Sequence, residues 1–310
     1  MEHMQEAMKS TISREQRITE KSAKRQSILC PAKLNLGLKV FPKRDDGYHD
    51  IDSWFVPLSL SDTLILEDSA QPELKLTGLA AGISTRFEDN LAGRAAIAMA
   101  DIAGRSAHVR IHIDKLIPTG GGLGGGSSDA AGTILALRSL WQMDISTEKM
   151  ATAALKIGSD VPFFIHGVSA RCMGRGERMT PLRRMAPLFA VLIVPPRGTS
   201  TADVYREFDR MPTTNDRTLN YDKIVNAPAG IIDEFIFNDL QAPAFAVAPW
   251  LRELHEAAAA AIGQAVHMSG SGSTLFTLHD RADESESATE RLRNSIGSAA
   301  ELLPVRVRTS

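Results

Sequence analysis

The chain of 310 residues contains only two cysteines, Cys30 and Cys172. Two are too few for a disulfide framework, and neither belongs to a CxxC pair, so zinc-site and thioredoxin-type readings are excluded. Long hydrophobic runs are also missing. The longest strongly apolar stretch is 188–194, far short of the ~20 residues that span a bilayer. Neither sign of charge dominates: Lys plus Arg total 35 against 37 for Asp plus Glu, a formal net charge of -2. No basic surface for nucleic acid or anionic lipid is therefore expected. Residues 1–28 lack the run of ~7–15 apolar residues that a secretory signal needs, and they read as a polar, flexible extension. The expectation is a soluble, reduced, cytoplasmic protein with no nucleic-acid or membrane partner.

Several catalytic signatures are absent as well. No lysine follows the main glycine run, which excludes a Walker A loop. The HRD and DFG motifs of protein kinases and the GxSxG elbow of hydrolases do not occur.

At ~150 residues per domain the length suggests about two domains. The composition, 43% hydrophobic and 23% charged, is that of an ordinary globular protein. Residues 28–40 read as strand, kink at Pro31, strand. Residues 43–50 are a polar turn around Gly47, and 63–66 and 74–76 are short strands. Asp89 or Asn90 caps a helix that runs to about Asp101 and is stopped by Gly104. Val109, Ile111 and Ile113 alternate with polar residues, the period of a half-buried strand. Further helices are expected over 129–141, 147–157, 251–262 and 284–296. Strands are expected over 168–172, 189–194, 266–268, 274–278 and 304–307, and 215–226 reads as a surface loop. Strands and helices mix without a strict βαβ rhythm, which favours α+β.

The most informative stretch is 118–128. Six of the seven residues 120–126 are glycine, set between a strand and a helix, and Ser127 and Ser128 follow. Glycines let successive backbone N–H groups converge without Cβ clashes, and a helix start adds partial positive charge, so the stretch reads as a phosphate cradle. A flexible linker is the alternative. Gly120, Gly122 and Gly125 satisfy GxGxxG, but the strand and acidic residue of a dinucleotide fold are not in the right places.

Lys33 lies mid-strand in PAKLNLGL; it either reaches solvent or holds an anion, and Asn35 shares its face. Asp160 in GSDVPFFIHG is either an ordinary helix cap or turn residue or a base in a pocket, and spacing does not decide. The cluster 269–273 (SGSGS) is either a tight turn or a second nest of N–H donors facing the first. Tyr48 and His49 offer a ring face and a polar edge suited to a nucleobase.

Together, PAKLNLGL with DDGYHD, LIPTGGGLGGGSSDAA, GSDVPFFIHG and MSGSGSTLF, with Asn238-Asp239-Leu240, resemble the ordered motifs of the GHMP kinase superfamily. The resemblance covers 28–310. It implies a two-lobed α+β fold, with an N-terminal lobe like the second domain of ribosomal protein S5 (29–180) and a C-terminal α/β sandwich lobe (181–310). By this resemblance Asp160 is the general base, and Lys33 lowers its partner's pKa and steadies the transferring phosphoryl. Pro118, Thr119, Gly120, Gly121, Gly122, Leu123, Gly124, Gly125, Gly126, Ser127 and Ser128 wrap the phosphates of ATP, with Ser127 or Ser128 near Mg²⁺. Asn35, Tyr48, His49 and Thr201 contact the cytidine diphosphate part of an acceptor, Tyr48 by stacking and His49 by hydrogen bonds. Gly270 and Ser271 border the substrate. The implied reaction phosphorylates the 2-hydroxyl of a cytidine diphosphate-linked methylerythritol in isoprenoid precursor synthesis, by a monomer or weak homodimer. The alternatives are a mevalonate-, homoserine- or sugar-type member, or a catalytically silent nucleotide-binding protein. The sequence departs from the family pattern at Gly37 and Asp129, and matches it loosely over 197–205.

Overall fold

The computed structural model describes residues 25–83, 85–211 and 217–308. Of the extension expected over 1–28, residues 1–24 lie outside this range. Arg25–Ile28 open strand β1, paired with Glu67–Leu64.

Strand β1 (Arg25–Lys43) is a single long strand, not two. The expected kink at Pro31 is a shift of register, repeated between Asn35 and Gly37. β1 pairs antiparallel with β2 (His49–Asp68) around the turn at Gly47, whose φ is +84°. β2 is central to the first sheet, which also holds β3 (Glu73–Gly78), β4 (Val109–Lys115), β5 (Ala170–Gly174) and β6 (Arg178–Pro181). Among the described strands of this sheet, β3 and β4 pair in parallel and the other pairs are antiparallel. In β4, Val109, Ile111 and Ile113 are buried while Arg110 is exposed, as the alternation required.

Helix α1 (Leu91–Ala103) is capped by the Asn90 side chain, which accepts from the Ala92 N–H, and closed by Gly104 in the left-handed conformation. Helix α2 (Gly125–Leu140) starts four residues before the expected Asp129, inside the glycine run. It is drawn tightly onto β1: a Cβ on Gly132 would stand 2.4 Å from Cys30 Sγ. α3 (Thr147–Leu155) is capped by Ser146, and α4 (Val161–His166) follows with Pro162 in its first turn. These helices pack their apolar faces on one side of the sheet around Leu64, Met99, Ile111, Ile134 and Phe163.

The second lobe is built on an antiparallel sheet in the order β10-β7-β9-β8, with β7 Phe189–Val194, β8 His267–Met268, β9 Leu275–His279 and β10 Glu301–Arg306. Around it lie α5 (Thr201–Arg210), α6 (Tyr221–Ile224), α7 (Ala229–Phe235), α8 (Gln241–Val247), α9 (Pro249–Ile262) and α10 (Ala282–Ile296). The sequence pattern announces no helix at α4 to α8. In α5 only Val204 and Phe208 are buried, so the apolar periodicity is too thin to show. The expected loop 215–226 contains α6, and its residues 215–216 lie outside the described range. No helix among the described residues is long and apolar enough to cross a membrane.

Candidate active site

Lys33 is 4% exposed at the middle of β1. Its backbone N–H donates to the Leu123 carbonyl at 2.9 Å, which pins the glycine loop against the strand. Its ammonium donates to Asn35 Oδ1 at 2.5 Å and stands 4.0 Å from Asp160 Oδ2. The ammonium also lies 5.1 Å from the Phe55 ring centroid. Burial pushes the Lys33 pKa down, while the charge of Asp160 pulls it back up. Asn35 is fixed in turn, its amide donating to Ser53 Oγ at 3.0 Å and its backbone N–H to Ser269 Oγ at 3.3 Å.

Asp160 occupies the N-cap position of α4, yet its side chain makes no capping hydrogen bond. The residue therefore sits in the turn before α4 without capping it. The Asp160 side chain keeps a third of its surface exposed and lines the cavity described below.

In the glycine loop, Gly120, Gly122 and Gly124 have φ of +75°, +76° and +73°, a conformation that side chains strain against. Leu123 between them is buried and anchors the loop to the core. The second cluster lies directly against the first. A Cβ on Gly122 would come within 2.7 Å of the Ser269 carbonyl, and the Thr274 N–H donates to the Gly121 carbonyl at 3.2 Å. The stretch 269–273 is a tight turn between β8 and β9 that packs against the glycine loop.

A cavity of about 670 Å³ opens at this junction. Lys33, Asn35, Tyr48, His49, Asp160, Thr201, Gly270 and Ser271 all line it, so the eight residues singled out for catalysis and acceptor binding converge. From the glycine loop only Gly122 and Gly124 reach it. The Thr201 hydroxyl shares a hydrogen bond with Ser271 Oγ at 2.8 Å, and Thr199 Oγ1 donates to the Ser271 carbonyl at 2.9 Å. His49 differs from the expectation in one respect: its ring nitrogens are already engaged, Nδ1 with the Phe41 carbonyl at 2.8 Å and Nε2 near Asp209 Oδ1 at 3.2 Å.

The sequence reading missed Tyr205, Asp209 and Arg175, which line the same cavity. Tyr205 packs on His49 at 5.1 Å between centroids, and burial raises its hydroxyl pKa to about 12. A second cavity, about 630 Å³, lies on the C-terminal lobe. Its histidines, His255 and His267, are hydrogen-bonded within the protein, and it brings no lysine to an acid.

Beside the glycine loop, α2 begins without a side-chain cap. Its first-turn N–H groups are thus available to an anion. Ser128 Oγ is buried with no hydrogen-bond partner. Behind this helix start, Lys115 bridges two buried carboxylates, Asp62 and Asp129. Among the described residues, no group of three or more His, Cys, Asp or Glu gathers as a metal nest.

Two family models match the chain, the GHMP kinases N-terminal domain over 90–168 and the GHMP kinases C-terminal domain over 226–297. The chain therefore carries the two domains of a GHMP kinase, a phosphotransferase that uses ATP. The 4-diphosphocytidyl-2-C-methyl-D-erythritol kinase of Rhodococcus jostii is 38% identical over 262 residues, 83% of this chain and 84% of that protein. That of Thermus thermophilus is 39% identical over 265 residues, 86% and 92% of the two chains. A crystal structure of 4-(cytidine 5'-diphospho)-2C-methyl-D-erythritol kinase superposes with a TM-score of 0.75 at 35% identity, covering 92% of this chain and 100% of that one. The crystal structure of L. major mevalonate kinase shares the fold at a TM-score of 0.67 and 16% identity, covering 94% of this chain and 98% of that one. The chain belongs to the 4-diphosphocytidyl-2-C-methyl-D-erythritol kinase family.

Proposed function

We propose that this chain transfers the γ-phosphoryl group of ATP to the 2-hydroxyl of 4-diphosphocytidyl-2-C-methyl-D-erythritol. The observation that carries the reading is the meeting of Lys33 and Asp160, 4.0 Å apart, in a cavity that also holds Tyr48. Asp160 takes the proton as the acceptor oxygen forms its bond to the γ-phosphorus; the bond to the β-phosphate oxygen breaks, and ADP leaves. The Lys33 ammonium stabilises charge on the transferring group, the main contribution a protein makes to this reaction. The loop 118–128 holds the ATP phosphates through backbone N–H groups and the start of α2. Mg²⁺, when bound, would neutralise phosphate charge, with Ser127 or Ser128 at the start of α2 beside it.

Tyr48 stacks on the cytosine. His49 reads its edge, and its Nε2 does so by exchanging Asp209 for the base. Asn35, Thr201, Gly270 and Ser271 border the acceptor. The free, buried thiols of Cys30 and Cys172 favour a reducing compartment, the cytoplasm. We assign a monomer or weak homodimer without a nucleic-acid partner.

A coupled assay of ADP release with the cytidine compound, mevalonate, homoserine and galactose tests the substrate. Faster turnover of any of the last three would refute it. Asp160→Asn is expected to lower kcat by about a thousandfold or more while ATP affinity holds. Retained turnover would remove Asp160 from the general-base role.

A further inference from the structure

Four cationic side chains line the acceptor cavity: Lys33, Lys43, Arg175 and Arg206. Lys33 faces Asp160, Lys43 is paired with Asp209 at 3.1 Å, and Arg206 with Asp203 at 2.6 Å. Among the described residues, Arg175 has no carboxylate at ion-pair distance of its guanidinium. The guanidinium lies 3.7 Å over the Tyr48 ring centroid and donates to Ser159 Oγ at 3.4 Å. Its Nε is buried and has no partner. The residue is held by a tight turn: Gly174 and Gly176 on either side have φ of +71° and +114°, and its backbone N–H donates to Glu177 Oε2 at 2.6 Å. A fixed, half-buried guanidinium with unmatched charge and an unmatched N–H is unfavourable until an anion meets it.

The acceptor in the proposed reaction carries such an anion, and its covalent order says where. Base, ribose, diphosphate and polyol follow one another. Tyr48 marks the base end, and Asp160, next to Ser159, marks the end with the reacting hydroxyl. Arg175 touches both Tyr48 and Ser159, so it stands over the middle of the molecule. We propose that Arg175 binds the diphosphate of the nucleoside diphosphate acceptor through charge-assisted hydrogen bonds, and that its stack on Tyr48 couples recognition of the base to recognition of the anion. This rests on the functional reading above. Arginine suits the task better than lysine because one planar group both stacks and forks onto phosphate.

The test measures steady-state kinetics of Arg175→Ala and Arg175→Lys, with calorimetric binding of cytidine diphosphate and of cytidine to the full chain. Arg175→Ala is expected to raise the acceptor KM about tenfold or more, leave the ATP KM unchanged and move kcat by less than about threefold. Cytidine diphosphate should lose about tenfold in affinity and cytidine only about two- to threefold, the part that comes from the stack. Arg175→Lys should recover part of the diphosphate affinity. Unchanged affinity for cytidine diphosphate, or equal losses for the two ligands, would overturn the assignment. So would a fall in kcat with constant acceptor KM, which would hand Arg175 to the transferring phosphoryl instead. If the alanine variant does not fold, Arg175→Met carries the same comparison with the aliphatic stem kept. Failure of the wild-type chain to phosphorylate the cytidine compound would sink the functional reading alone, because the two binding measurements still decide what Arg175 holds.

Discussion

Asp129→Asn should make this protein more stable, and increasingly so as pH rises. Lys115 donates to Asp129 Oδ2 at 2.6 Å and also to Asp62, and the three side chains are 7%, 7% and 0% exposed. Two carboxylates thus share one ammonium away from water. Asp62 is the better served, since its Oδ1 accepts the Leu116 and Ile117 N–H groups at 2.6 and 2.8 Å. Asp129 Oδ1 has no partner. Burial pushes the Asp129 pKa from 3.8 to about 7 against the pull of Lys115, with the charge of Asp62 adding to the rise. The folded chain therefore binds this proton more tightly than the unfolded chain. Its stabilising effect is complete below the unfolded value and is lost as pH rises through the folded one. A rise of that size corresponds to roughly 4 kcal/mol at most. Asparagine removes the excess charge, still accepts from Lys115, and offers an N–H toward Asp62. Denaturant unfolding of both chains at about pH 5 and about pH 8 should show the advantage of the variant widening by roughly 2 to 3 kcal/mol. Reading the difference between the chains cancels the titrating groups outside this cluster. A variant less stable than wild type at about pH 8, or a gap independent of pH, would refute the reasoning.

Two further perturbations act on the site itself. Lys33→Met keeps the length of the stem and removes the charge, and kcat should fall by about a hundred- to a thousandfold. A fall of less than about tenfold in steady-state kinetics would end the role assigned to the ammonium. Gly122→Ala places a methyl 2.7 Å from the Ser269 carbonyl and 3.1 Å from that of Gly272, at a φ of +76°. It should cost about 1–2 kcal/mol in a melt and lower kcat/KM at least about tenfold, because the loop must leave the 269–273 turn. Wild-type kcat/KM would show that their contact is dispensable.

The parts legible in the sequence are those with a local cause. The alternation at 109–113, the Asn90 cap and the Gly104 stop each act within a few residues, and each appears where expected. The start of α2 is hidden because a glycine run reads as loop, whereas Gly125 and Gly126 take helical geometry once Gly124 has turned the chain. Lys33 and Asp160 are visible through their motifs, but their approach is not. It depends on α4 packing against α2 and α3, which brings Asp160 to Lys33 across more than a hundred residues of chain. Tyr205 and Asp209 sit on a helix whose pattern is mostly charged, so nothing local points to the cavity. Arg175 does carry a signal: an arginine between two glycines marks a tight turn that presents a single side chain.

Strand β1 gives Cys30 to the core of the first lobe, Ala32, Leu34 and Leu36 to the apolar seam between the sheets, and Leu38 and Val40 to the core of the second lobe. Beyond Lys33 it is tied to the second lobe again, with the Leu38 N–H donating to the Phe237 carbonyl at 2.7 Å and the Asp239 N–H to the Leu38 carbonyl at 2.9 Å. The lobes are therefore not interchangeable modules. A chimera that takes one lobe from a relative must take this strand too, and whichever lobe it was not built for inherits mismatched side chains. Split-protein reconstitution and circular permutation should succeed only with cuts that leave β1 whole.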